Sequence, residues 1–449
     1  MEISEATCRR LLIALYMSRS FFSASSALLL DRIFRAGMGL LVSIAIARHY
    51  GPAEFGQLSY VLLAASLFGA LATLGLDEIG PRDMAAMHAD HPSRADMLQT
   101  ILRIRLFGGL TAYILLLGFI YLDAGTGSIW WIAIILGLYL PLQSADAYDY
   151  CFRVEKKFNY IACTRSISAL ISSALKMVAI LLGWPIYAIA GAMTGEYAFS
   201  GAIFTFLNKS KLKISGKFNS LYAVQLIRRS WKIMLAGIVV AFQVRVEYYL
   251  IEKYLGWDSV GQYAAALKIF ETLDVIPIIF TVVLMPELAI YIRSGVKQKF
   301  AESYQGSYLA GILIYLFMIP IMLVIIWIFP IAFGDKYIAA QELLPFLLIR
   351  PLLVMISVIR GVFVVLDHRY FYPIVSSMLG LIVTIVIASM LIPLYGLYGA
   401  IAANLLGLFS STILCDLFFY RESSYALFTC WKQFGAVIGR LVLTSANRQ

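Results

Sequence analysis

Twelve apolar runs of near-spanning length constrain this chain more than any motif does. They fall at about 24–47, 58–76, 104–122, 128–150, 161–182, 186–207, 232–251, 260–290, 307–329, 338–366, 372–392 and 396–419. Crossing a bilayer core takes about 20 apolar residues. Lipid offers no partner for bare N–H and C=O groups, so each run is expected to be a helix. Composition points the same way: 61% of residues are hydrophobic and 14% charged, against roughly half and a quarter in a soluble domain. The expected fold class is all-α integral membrane, with about 12 transmembrane helices. Residues 1–23 read as a cytoplasmic amphipathic lead-in rather than a cleavable signal, because the apolar run in "MEISEATCRRLLIALYMSRS" is only about seven residues long.

Lys and Arg set the orientation. With the N-terminus placed in the cytoplasm, 26 of the 36 fall in cytoplasmic segments. Only Arg48, Lys253 and Lys336 fall in the opposite loops. Such alternation is what the positive-inside rule predicts, and it puts both termini in the cytoplasm. The net charge of +10 is thus a topology signal, and a nucleic-acid partner is not expected. The basic run from Lys209 to Lys232 also suits anionic lipid heads.

The chain repeats itself. "YGPAEFGQ" (50–57) and "LGWDSVGQY" (255–263) each carry a glycine, four residues, then Gly-Gln: Gly51 with Gly56, and Gly256 with Gly261. A second echo, "GWPIYAIAGA" (183–192) against "PLYGLYGAIAA" (393–403), precedes the last span of each half. The expected organisation is a six-helix bundle over 24–207, a basic linker over 208–231, a second six-helix bundle over 232–420 and a cytoplasmic tail over 421–449. An even number of spans per repeat gives both halves one orientation, related by a pseudo-two-fold axis along the membrane normal. The four glycines are gate candidates or simply tight connections. Pro277 and Pro286 are hinge candidates or bends needed for packing.

Seven cations lie well inside predicted spans, away from their cytoplasmic ends: Arg32, Arg35, Lys176, Arg245, Lys268, Arg350 and Arg360. A charge at the bilayer centre costs on the order of 3 kcal/mol or more unless it faces protein or water. One explanation is pairing: Asp31 with Arg35 and Lys268 with Glu271 share helix faces, and Lys176 can reach for Glu196. The other is a cationic, hydrated cavity between the halves that binds an anionic head group, since the arginine fork matches phosphate. On that reading all seven are substrate-binding candidates, with Arg32, Arg245 and Lys268 foremost. Glu196, Glu247, Glu271 and Asp274 are either neutralising partners or carriers of a coupling proton or sodium ion.

An enzyme is not expected. No H-E-x-x-H, G-x-S-x-G or D-x-D motif is present, the outer loops are short, and no P-loop occurs. The five cysteines have no metal or disulfide spacing. No cofactor and no metal are called for, beyond coupling to a proton or sodium gradient.

"ARHYGPAEFGQLSYV", "YLGWDSVGQYAAALKIFE" and "LIPLYGLYGAIAANL" resemble, in order and spacing, the polysaccharide-export branch of the MOP flippase superfamily, and within it the Wzx-type O-antigen flippases. The resemblance implies a MATE-like V-shaped pair of bundles around a central cavity. It also implies that undecaprenyl-pyrophosphate-linked oligosaccharide is flipped, by alternating access, from the cytoplasmic to the periplasmic leaflet of a bacterial inner membrane. The polysaccharide polymerase and chain-length machinery are the implied partners. Where many relatives carry Arg-x-Asp, this chain has Arg245-Val246-Glu247. Carriage of another anionic precursor (capsule, teichuronic acid, lipid II) stays open, as does a membrane glycosyltransferase or polymerase.

Overall fold

The computed structural model describes residues 5–86, 93–209, 216–280, 297–367, 369 and 371–433. Pro286, part of the basic linker (210–215) and the end of the tail (434–449) lie outside the described residues. Among the described residues every regular element is helical. The principal helices are α1 (Glu5–Thr73), α2 (Leu76–Ala85), α3 (Ser93–Ala124), α4 (Ser128–Gly137), α5 (Phe158–Leu181), α6 (Ile186–Lys209) and α7 (Ser220–Leu273). They continue as α8 (Lys297–Phe333), α9 (Ile338–Leu347), α10 (Arg350–Leu366), α11 (Tyr372–Tyr395) and α12 (Leu397–Phe409). Seven helices among the described residues are long and apolar enough to cross a membrane, or up to nine when two bent pairs are each counted as a span. The protein is therefore an all-α, multi-pass membrane protein.

Part of the difference from twelve apolar runs is continuity. Leu30–Ala85 counts once at 56 residues, yet at 1.5 Å per residue it would be about 84 Å long, far beyond a core of about 30 Å. It breaks at Gly51, where φ is 81° and ψ 175°. Side-chain-bearing residues hardly enter that region, and Pro52 supplies the φ that restarts a helix without needing its N–H. Gly256 breaks α7 with nearly the same angles, φ 80° and ψ −179°. A third copy stands at Gly334, φ 82° and ψ 175°, between α8 and the turn leading into α9.

Prolines mark the other breaks. The expected span over 128–150 stays one helical span, Ser128–Val154, but its α-helix is interrupted after Gly137. Tyr139–Leu142 with Pro141 is a single α-turn, Gln143–Tyr148 is 3-10, and Asp149–Val154 is α-helical again. The expected span over 338–366 bends by 52° between Leu347 and Arg350, with Pro345 before the bend and Pro351 after it. α7 loosens at Asp274, three residues before Pro277, whose missing N–H leaves a carbonyl of the preceding turn unbonded.

By packing, the described residues fall into two compact units. The first comprises Met1–Val42 and Phe68–Leu235, the second Ser43–Leu67 and Ala236–Gln449. The segment around the first glycine turn thus packs with the second unit, and the start of α7 with the first. In the first unit Leu76, Met97, Ile101, Tyr150 and Leu226 form a buried cluster that locks α2, α3 and the start of α7 together. In the second, Tyr304, Tyr308, Met355, Ile359, Phe363 and Tyr420 do the same for α8 and α10.

The repeat has a physical reason inside the second unit. A Cβ placed on Gly56 would collide with the Trp257 carbonyl, and one placed on Gly261 would collide with the Pro52 carbonyl. Trp257 and Pro52 each follow the first glycine of their motif. The two turns therefore cross reciprocally, each second glycine receiving the other turn's backbone, like a self-complementary two-fold interface. The third turn is tied in: Gln262 Nε2 donates to the Lys336 carbonyl at 2.7 Å, and the Ala340 N–H donates to Gln262 Oε1 at 3.0 Å. Arg48 donates to the Ile331 carbonyl at 3.1 Å, and the Tyr337 hydroxyl to the Ala47 carbonyl at 3.0 Å.

Candidate functional site

The first unit encloses a cavity of about 360 Å³. Arg35 from α1, Asp77 from α2 and Arg105 from α3 line one part of it. The turns after α4 add Gln143, Asp146, Asp149 and Arg153, and α5 and α6 add Arg165, Ser168, Glu196, Tyr197 and Ser200. The helices are apolar on their outer faces, with Leu110, Ile114, Leu170 and Leu181 exposed. The polar side chains turn inward because neither lipid nor the apolar core would accept them.

The wall is densely bonded. Arg105, only 1% exposed, meets Asp77 Oδ1 at 2.6 Å and donates to the Tyr150 hydroxyl and the Gln143 carbonyl. Arg153 and Arg165 both bond Asp149 Oδ2, at 2.9 and 2.8 Å. Arg35 is held by Asp31 at 2.9 Å, and Ser166 donates to Asp31 at 2.6 Å. Asp146 forms no ion pair among the described residues but lies within electrostatic reach of Arg165 and Arg105. Tyr197 stacks on Tyr139 with ring centroids 4.8 Å apart. Asp149 Oδ1 and Ser168 Oγ, both on cavity-lining residues, have no hydrogen-bond partner among the described residues.

The second unit carries its charges differently. Arg245 reaches Glu271 at 2.6 Å, so Glu271 takes a cation from the preceding span rather than Lys268 one turn back. Arg350 bonds both oxygens of Asp274, at 3.1 and 3.0 Å. Fully buried Glu247 accepts from Asn404 through Oε1, while its Oε2 has no partner among the described residues. Arg360 bonds Asp416 at 3.1 Å and the Ser411 carbonyl, which lies in a π-helical turn over Ser410–Leu414. Tyr372 and Ser423 donate to the same Asp416 carboxylate.

Of the seven cations singled out in the sequence, five stand in ion pairs: Arg35, Lys176 (3.8 Å from Glu196), Arg245, Arg350 and Arg360. Arg32 and Lys268 form none among the described residues. Arg32 is exposed and within electrostatic reach of Arg35, Arg165 and Asp31; Lys268 is half-buried and within electrostatic reach of Glu271. Sequence reasoning missed most of the cavity. Arg105, Arg153 and Arg165 were expected as cytoplasmic loop charges, whereas here they line its wall. Asp146 and Asp149 were missed as well; the signal that could have found them is "SADAYDY" (144–150), two acids at the end of an apolar run.

The sequence matches the polysaccharide biosynthesis protein family over residues 22–291. No curated protein matches it significantly. Among solved structures it is similar to the lipid II flippase MurJ in an inward closed conformation, with TM-score 0.64 and 15% identity over 93% of this chain and 92% of that one. It is also similar to the MATE multidrug transporter DinF-BH, with TM-score 0.63, 18% identity and coverage of 91% and 96%. An inward-facing multidrug resistance MATE transporter of the MOP superfamily gives TM-score 0.61 and 16% identity, over 88% and 95%. The fold is that of this transporter superfamily.

Proposed function

This chain belongs to the polysaccharide biosynthesis protein family, and from that premise we propose that it is a flippase for lipid-linked oligosaccharide. The proposed cargo is an O-antigen-type repeat unit on undecaprenyl pyrophosphate. It moves from the cytoplasmic to the periplasmic leaflet of a bacterial inner membrane by alternating access, and both protein termini are cytoplasmic.

The observation that carries this reading is that two intramembrane cations, Arg32 and Lys268, form no ion pair among the described residues. A pyrophosphate cannot enter hydrocarbon without counter-charges, and a cation already neutralised by a carboxylate must surrender that partner to help. Arg32 and Lys268 have no direct carboxylate contact to surrender among the described residues. Each offers charge-assisted hydrogen bonds to phosphate oxygens, while the polyprenyl tail stays in lipid. Glu247 is the coupling candidate: a buried carboxylate with one oxygen unbonded takes up a proton or a sodium ion with little rearrangement.

Deleting the gene and weighing the lipid-linked glycans by mass spectrometry tests the reading. Complete repeat units accumulate, surface glycan is lost, and the accumulated species identifies the cargo, whether O-antigen, capsule, teichuronic acid or lipid II. Truncated units would point to a glycosyltransferase instead. Glu247→Gln is expected to uncouple transport from the ion gradient; unchanged transport in the variant would remove the coupling role.

A further inference from the structure

We infer that the cavity of the first unit is a recognition subsite for uncharged, hydroxylated sugar and is not where the pyrophosphate binds; the inference rests on the flippase reading. Four guanidiniums (Arg35, Arg105, Arg153, Arg165) and four carboxylates (Asp77, Asp146, Asp149, Glu196) line it. Asp31 behind Arg35 and Lys176 beside Glu196 add one charge of each sign. The balance leaves no net field for a polyanion. A phosphate that displaced Asp149 or Asp31 from bonds of 2.8–2.9 Å to Arg153, Arg165 or Arg35 would leave a buried carboxylate without its counter-charge, and one that displaced Asp77 would have to break its 2.6 Å bond to the buried Arg105.

A sugar hydroxyl makes no such demand. It donates and accepts at once, and the wall alternates acceptors with donors. Asp146 has a carboxylate free of ion pairs among the described residues, able to take two neighbouring hydroxyls. Asp149 Oδ1 and Ser168 Oγ are unpartnered there too, and their residues are 1% exposed. A buried polar atom left unpaired costs about 1–3 kcal/mol, a cost that a hydroxyl in the cavity relieves. Tyr197, stacked on Tyr139, supplies a rigid flat face against which the C–H side of a pyranose can lie. The volume of about 360 Å³ sits at the small end of ligand pockets, which run from about 300 Å³ upward, and suits about one or two sugar rings. Arg32, near Arg165 but without an ion pair among the described residues, is left to meet the phosphate. The head group is thereby divided within this unit, sugar in the balanced cavity and phosphate on Arg32.

The test uses the full chain in nanodiscs of neutral phospholipid and saturation-transfer NMR. The probes are neutral hexoses and N-acetylhexosamines, glucuronate, and inorganic pyrophosphate. At least one neutral sugar binds saturably, binding is unchanged between about 0.05 and 0.5 M salt, and pyrophosphate does not displace it. Asp146→Asn, which breaks no ion pair, weakens the sugar about tenfold or more, and so does Tyr197→Leu, while Arg32→Ala leaves it unchanged. Displacement by pyrophosphate, glucuronate binding better than glucose, full affinity in Asp146→Asn, or no sugar binding at all each overturns the inference. If repeat units accumulate in the deletion strain but no sugar binds, the subsite falls and the flippase stands. If sugar binds but no glycan accumulates, the flippase falls, and the sugar-binding cavity stands as a fact about this unit alone.

Discussion

Asp149 in the first unit and Asp416 in the second are both buried aspartates held by arginine, yet their surroundings differ. Both oxygens of Asp416 are used, by Arg360 and Tyr372 on one side and Ser423 on the other. Asp149 crowds Arg153 and Arg165 onto one oxygen and leaves the other bare at the edge of a cavity. A closed network of satisfied groups ties helices together; a network with unfilled positions is a place for something to bind. Charge at membrane depth is therefore not evidence of a site by itself. The open valences around it are.

The largest expected effect lies outside both networks. Gly261→Val drives a branched side chain into the Pro52 carbonyl, where even a Cβ does not fit. We expect loss of folded protein, read as aggregation in size-exclusion chromatography, whereas Gly37→Ala, with open space around it, elutes normally. Next comes the closed network. Asp416→Ala strands the Arg360 guanidinium and is expected to cost about 3–5 kcal/mol, seen as a lower unfolding temperature in detergent. An Arg360→Met/Asp416→Leu double variant recovers most of that stability and most transport. If it stays inactive while stable, Arg360 belongs with the functional charges and the contrast between the two networks collapses.

Smaller in stability but sharp in function is Lys268→Ala. Removing an unpaired cation leaves the melting temperature nearly unchanged. It lowers transport about 10- to 100-fold if a charged hydrogen bond worth about 1.5–3 kcal/mol is lost from the transported state. Whole-cell accumulation of lipid-linked repeat units measures it, and Lys268→Arg should recover part of the rate. The smallest effect is at Arg229, which bonds Asp83 at 2.7 Å with more than half its side chain in solvent. Arg229→Ala should change stability by less than about 1 kcal/mol and leave transport untouched.

The all-helical membrane class and two of the pairings were legible because run length and spacing decide them. Apolar run length marks a membrane helix, and Asp31 four residues before Arg35 marks a shared face. Lys176 had no acid on its own helix, so Glu196 on the next one was a natural partner. The cavity was not legible for the opposite reason. Arg105, Arg153 and Arg165 come close to the ends of apolar runs in the sequence, where the positive-inside rule explains a cation without further structure. Tertiary packing alone brings Arg105 of α3 onto Asp77 of α2, and Arg165 of α5 onto Asp149 in the short helical segments after α4. The third glycine turn, at Gly334, escaped because it lacks the Gly-Gln echo, although its backbone angles match the other two.

The crossing of the two repeated turns also limits how the halves of this chain can drift apart. Any side chain gained at Gly56 pushes on the backbone at Trp257, one turn of helix before the glycine that must itself stay clear of Pro52. Neither copy can be altered and repaired within its own half, because the repair has to be made in the other. A duplicated gene ordinarily frees one copy to diverge. The two turns of this chain keep no such freedom, and the joint between them is inherited as if it were a single sequence.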